Sequence, residues 1–290
     1  MTRQNNPPKR HHFIPQMMLR HFADDDELLW FWRRDFQNGD IKKTNTQNLF
    51  VEKDLYTLVH YDGTKNSALE GFFARLEGAG AQFINDLATI IRGNGIPNLD
   101  KNAWNFWNHF FYYHLKRTPG AIAVFAQHVG FRVKVDEAVA TIKKIGAEEG
   151  RETDDANLEE RIVKNAVIMA QRAKPSAEVL EVFAKMGLAI YRIVDRNKSF
   201  VIGDIPGATA RFRLPDNSMS RPTLFLPVTW DIAVGQSTRS KKVDVITVDH
   251  EQIKRMNVAT TTRSTVIAGR SDALIKTLSR RVIYTGVEAT

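Results

Sequence analysis

The 290-residue chain is 43% hydrophobic and contains no cysteine. That content suffices for a sizeable core, either as one domain over 1–290 or as two closely packed lobes, a mostly helical 1–187 and a mixed, basic 188–290. The missing thiols exclude disulfides, thiolate zinc sites and cysteine nucleophiles, leaving His, Asp, Glu and Asn for any metal. The formal net charge is +8, with 16 Lys and Arg against 9 Asp and Glu in residues 191–290, as expected of a protein that meets a polyanion or of an ordinary solvated surface.

Taken in chain order, Pro15 suits the first position of a short helix, where its missing N–H costs nothing, and Met18, Leu19 and Phe22 then share one apolar face. The aromatic run Leu28 to Arg33 reads as a strand, Asn38-Gly39-Asp40 as a turn and Ile41 to Lys43 as the start of the return strand. Ser67 to Arg92 keeps a helical rhythm and stops at Gly93-Asn94-Gly95. The next helix, Asp100 to Arg117, is unusually aromatic. Its rings lie all round the helix, which predicts burial of Trp104, Trp107 and Phe111 in the core rather than a base-stacking face, with His109 and His114 as core groups. Further helices are expected from Gly120 to about Gly146, with Gly130 as a point of interruption, and from Ala156 to Met186, joined by an acidic surface loop at 148–155. Leu188 to Val194 and Ser199 to Ile202 are expected to form a β-hairpin around Asp195 to Lys198. Short strands at Thr223 to Pro227, Ile232 to Gly235 and Val243 to Val248 follow, then helices at Asp249 to Val258 and Ser271 to Arg281. The predicted class is α+β, mainly helical, with short antiparallel strands near the N-terminus and in the C-terminal third.

Chemistry concentrates first at His11-His12, just ahead of Pro15. A helix N-terminus attracts phosphate and favours a neutral imidazole able to act as base or metal ligand, whereas paired histidines there are equally often structural hydrogen-bonding groups. Adjacent histidines also point apart in regular structure, so they would play two roles rather than chelate together. Asp204 is the best candidate carboxylate of the later chain, flanked by Gly203 and held by the restricted Ile205-Pro206 step, either in a cleft or as a turn aspartate.

The run His11-His12-Phe13-Ile14-Pro15-Gln16 with Leu19-Arg20-His21-Phe22-Ala23 resembles the opening of a bacterial family known as domain of unknown function 4238. Lys53-Asp54-Leu55-Tyr56, Leu69-Glu70, Arg117-Thr118-Pro119 and Phe200 to Pro206 resemble its later landmarks in order, with Gly203 where a serine is common. The resemblance marks residues to watch and implies no established activity. His11-His12-Phe13-Ile14-Pro15 and Gln47-Asn48-Leu49 also resemble the start of HNH-type nucleases, in which one histidine activates water and its neighbour helps hold a divalent metal over the scissile phosphate. The gap between the two parts is longer here, and only Asp54 stands near the place of the final metal-binding histidine.

Two functions follow. The first is a metal-assisted phosphodiesterase acting on nucleic acid, with His12 as general base. His11 with Asp54 or Asp204 would then hold Mg²⁺, Mn²⁺ or Zn²⁺, Arg20 or Arg117 would clamp phosphate, and Lys241, Lys242, Lys254 and Arg255 would bind the nucleic acid. The second is a noncatalytic protein recognising a polyanion or a protein partner, with the same histidines and Asp204 as structural groups. One cleft should then bring His11 or His12 near Asp204 or Arg117. The N-terminus is polar and no apolar run approaches the ~20 residues of a membrane span, so a cytoplasmic protein without a membrane partner is expected.

Overall fold

The computed structural model describes residues 10–36, 39–60, 64–150, 157–213 and 216–285. Strand β1 (Arg10–His12) and helix α1 (Gln16–Arg20) open it, followed by β2 (Leu28–Arg33), β3 (Lys42–Asn45), β4 (Val51–Lys53) and the small pair β5 (Leu58–Val59) and β6 (Lys65–Asn66). The helical part is α2 (Ala68–Arg92), α3 (Lys101–Lys116), α4 (Pro119–Ala126), α5 (Val129–Glu148), α6 (Leu158–Arg172) and α7 (Ala177–Ala184). Then come β7 (Gly187–Arg192), β8 (Ile202–Gly203), β9 (Ala208–Ala210), β10 (Thr223–Pro227), β11 (Ile232–Ser237), β12 (Val243–Thr247), α8 (His250–Arg263), β13 (Val266–Gly269) and α9 (Asp272–Thr285). The class is α+β, with helix exceeding strand. No helix among the described residues is long and apolar enough to cross a membrane. The Asn38 turn residue and most of the acidic loop at 148–155 lie outside the described residues.

Two sheets organise the strands. One has the order β12-β7-β11-β10-β9, with β12 parallel to β7 and the other pairs antiparallel. The other, β3-β2-β13-β8, is antiparallel and joins opposite ends of the chain, since Trp32 of β2 faces Ile267 of β13. Arg34 extends that join by donating Nη2 to Thr262 O at 2.6 Å and Nε to Ser264 O at 2.8 Å.

The expected hairpin of β7 with Ser199 to Ile202 does not form. The turn is present, with Lys198 N–H on Asp195 O at 3.0 Å, but β7 is already flanked by β11 and β12. The returning segment is held elsewhere: Asn257 of α8 accepts from Val201 N–H at 3.0 Å and donates to Ser199 O at 2.9 Å, and β8 pairs with β13. A buried carboxamide that satisfies two backbone groups competes well with a hairpin ladder. The two long helices expected in the middle each divide. The first divides at Gln127-His128, where His128 takes an extended conformation as the cap of α5 while Gly130 stays helical. The second divides ahead of Pro175, which disfavours helix in the residue before it, and Ser176 then caps α7 through Val179 N–H.

Helix α3 runs through the core. Asp100 caps it through Ala103 N–H at 2.7 Å, and Trp107, Phe110, Phe111 and Tyr113 are buried while Trp104 packs at the core margin, partly buried. Trp107 stacks on Phe83 of α2 with ring centroids 5.7 Å apart. Each such ring contributes on the order of 2–3 kcal/mol by leaving water, so the aromatic content of α3 is spent on holding α2 and the sheet.

Candidate functional site

His11 and His12 lie in β1, which pairs with β4 (His11 opposite Glu52, His12 opposite Val51), rather than at a helix mouth. Helix α1 is only five residues long. As alternating strand residues the histidines point apart. His11 is fully buried, and its Nδ1 accepts from the Tyr56 N–H at 2.9 Å, which assigns the ring proton to Nε2. The ring stacks on Tyr56 at 5.5 Å, nearly coplanar. His12 is partly buried and its Nε2 lies 3.1 Å from Thr46 O. A carbonyl only accepts, so Nε2 carries the proton and Nδ1 a lone pair without a partner among the described residues. Burial holds the His12 pKa below 6.5, against the pull of the Thr46 carbonyl and Glu77.

The Arg-Thr-Pro landmark enters the same network from α3. Arg117 is 1% exposed. It donates Nη2 to His12 O at 2.7 Å and Nε to the Tyr56 hydroxyl at 3.2 Å, while that hydroxyl donates to Arg117 O at 2.9 Å. Its Nη1 lies 2.8 Å from Glu77 Oε1, an ion-pair distance out of line for a hydrogen bond. The guanidinium also sits 4.2 Å over the Phe73 ring. Burial pushes Tyr56 up to about 12 and raises the Glu70 carboxyl, although Arg117 favours its charged form. Landmarks from four separate stretches of sequence therefore meet in one buried polar cluster. Glu77, two helical turns beyond Glu70, is the member that sequence reasoning missed.

The other proposed ligands are engaged apart from this cluster. Asp54 sits at φ +53, a left-handed conformation that aspartate tolerates, and pairs with Lys65 at 3.4 Å. Asp204 accepts from the Thr265 N–H at 2.9 Å and from its hydroxyl. No group of three His, Asp or Glu side chains that could hold a metal ion occurs among the described residues. Arg20 is exposed, with a 3.4 Å bond to Gln16. Around Asp204, a Cβ at Gly203 would overlap Ser264 Oγ and stand 2.9 Å from Ser264 Cβ. The space that a side chain at 203 would need is thus filled by Ser264, just past the end of α8. The Asp204 loop does approach the Arg117 region, with Ile205 packing towards Gly120.

The basic residues of the C-terminal part converge on adjoining cavities. One, of 430 Å³ between α8 and α9, is lined by Lys198, Lys254 and Arg281. It shares Lys254, Val258 and Arg281 with a 320 Å³ cavity that adds Arg211, Arg255 and Glu251. On the other side, a 410 Å³ cavity shares Lys198, His250 and Ile253 with the first and adds Asp195 and Asp249. Through Ile193 and Val194 it reaches a 650 Å³ cavity holding Arg92, Arg192, Arg196, Arg270 and Asp231. Together these neighbouring cavities make a groove region lined by nine Lys and Arg against four Asp and Glu. Lys254 and Arg255 belong to it, both near Glu251. Lys241 and Lys242, in the turn before β12, line none of the four cavities.

Two further titratable groups depart from expectation. His114 is buried in the core as read from the sequence, but its Nε2 has no hydrogen-bond partner among the described residues, and burial holds its pKa well below 6.5. Lys116 donates to Ala170 O and Ala173 O at the end of α6, and burial lowers it to about 8.

No curated protein and no solved structure matches the chain. A family model, described as a protein of unknown function (DUF4238), matches residues 10–272, which take in the buried cluster and every cation of the four cavities except Arg281. The chain belongs to the DUF4238 family.

Proposed function

We propose that this protein binds nucleic acid along the basic groove. The observation that carries the reading is the run of four neighbouring cavities, each sharing lining residues with the next, whose walls hold nine cations and four carboxylates. A net excess of cations gathered along one run of cavities attracts a polyanion. The buried His11, Tyr56 and Arg117 cluster then serves the fold, tying the N-terminal strand to α2 and α3. Fluorescence anisotropy with short single-stranded and duplex oligonucleotides tests the reading. Binding should weaken steeply with salt, and Lys254→Gln with Arg281→Gln should weaken it further and flatten the salt dependence by about one counterion each.

A second reading, metal-assisted phosphodiester cleavage, is favoured by one observation: the neutral, partly buried His12 imidazole with its proton fixed on Thr46 and its Nδ1 lone pair open. That is the state a general base requires. Arg20 is the exposed cation of the motif. Cleavage assays with Mg²⁺, Mn²⁺, Zn²⁺ or EDTA decide it, with His12→Ala expected to lower the rate by roughly 10²-fold or more.

A further inference from the structure

The groove ends in its most voluminous cavity, 650 Å³, where four guanidinium groups face the single carboxylate of Asp231. Several are fixed in place by the protein. Arg92 gives Nε and Nη2 to the two oxygens of Asp231 at 2.8 and 2.7 Å, and Asp231 also accepts from the Thr229 hydroxyl at 2.7 Å. Arg192 gives Nε to Thr247 Oγ1 at 2.9 Å and Nη1 to Asn94 Oδ1 at 2.7 Å. Arg270 lies over the Trp230 ring at 4.6 Å and within 3.6 Å of the exposed Asp25. The Trp230 N–H donates to His21 O at 3.2 Å, which anchors this wall to the N-terminal motif.

A guanidinium has five donor hydrogens, and these internal bonds leave some over. Arg92 Nη1 and Arg192 Nη2 have no partner among the described residues, and Arg196, which is exposed, makes no ion pair among them. With Asp231 and Asp25 set against the four arginines, the remaining excess of two positive charges is offset poorly by an internal phosphodiester, which carries one negative charge. A phosphate monoester carries about 1.5 to 2 at neutral pH, with three strong acceptor oxygens. Planar forks that are already oriented suit such a group best.

We propose that this cavity receives the terminal phosphate of a strand lying in the groove, an inference that rests on the groove reading. The test compares oligonucleotides of one sequence bearing a 5′-phosphate, a 3′-phosphate or hydroxyls at both ends, with inorganic pyrophosphate as an independent probe of the cavity. One phosphorylated end should bind about tenfold more tightly than the hydroxyl form. Arg192→Gln with Arg196→Gln should erase that preference, while Lys254→Gln weakens all three oligonucleotides alike. Equal affinity for the three overturns the terminal-phosphate inference and leaves the groove reading standing. If no oligonucleotide binds, the groove reading fails. Pyrophosphate then judges the cavity alone: saturable binding lost in the Arg192 and Arg196 variant supports it, and no binding overturns it.

Discussion

Arg117 holds the carbonyl of His12 at 2.7 Å across 105 residues of sequence, inside a site where its own side chain is 1% exposed. Removing one member of a buried charge pair leaves the other unpaired, so Arg117→Met should cost about 3–5 kcal/mol, towards the low end because Glu77 is 24% exposed. Tyr56→Phe, which loses one accepted and one donated bond, should cost about 1–2 kcal/mol. Urea denaturation measures both, and a loss below 1 kcal/mol for Arg117→Met would show that the cluster does not hold the N-terminal strand.

Ser264 and Gly203 compete for one space, since a side chain at 203 would overlap Ser264 Oγ. Overpacking of this kind costs about 1–3 kcal/mol. Gly203→Ser alone should be destabilising by that amount, and Ser264→Gly should restore most of it in the double variant. A double-mutant cycle without coupling would mean that the two positions do not compete for that space.

Histidines 12, 21 and 114 all have pKa values held below 6.5 by burial. A depressed folded pKa contributes stability that is fully present above the unfolded value and is lost as pH falls through the folded one. Stability should therefore fall as the pH is lowered from 6.5. His114→Phe, which keeps the stacking on Phe110 (5.2 Å between centroids) and removes the unpartnered nitrogen, should flatten that fall. Thermal melts from pH 8 to pH 5 read the difference, and an unchanged slope would remove His114 from the account.

Lys116, lowered to about 8 by burial against the end of α6, should react with a small isocyanate with a midpoint near that pH, whereas surface lysines follow a value of ~10.4. Peptide mapping of the modified chain across pH measures this directly. A midpoint above 10 would mean that the amine is hydrated.

How far the fold was legible depended on whether local pattern or long-range pairing decided each element. Strand β2, helices α2 and α3 and strand β10 follow the apolar rhythm of their own residues and fall where that rhythm puts them. The predicted hairpin fails because Asn257, far away in sequence, takes the backbone of Ser199 and Val201. Strand β13 was missed because its four residues become a strand only between β2 and β8. At the candidate site, His11, His12 and Arg117 were readable as motif residues. The burial of Arg117 was not, since nothing local distinguishes a core arginine from a phosphate clamp. The groove was visible only as a charge excess, because its walls come from elements far apart in sequence, the ends of α2 and β7 and the lengths of α8 and α9.

The salt dependence of oligonucleotide affinity, measured for the natural protein and for the Lys254→Gln, Arg281→Gln variant, tests nucleic-acid binding by the groove most directly. Affinity should fall linearly with the logarithm of salt, with a slope reduced by about two in the double variant, while Lys241→Gln with Lys242→Gln changes it little. Absence of binding at low salt, or a slope that the groove variant leaves untouched, would contradict binding by the groove.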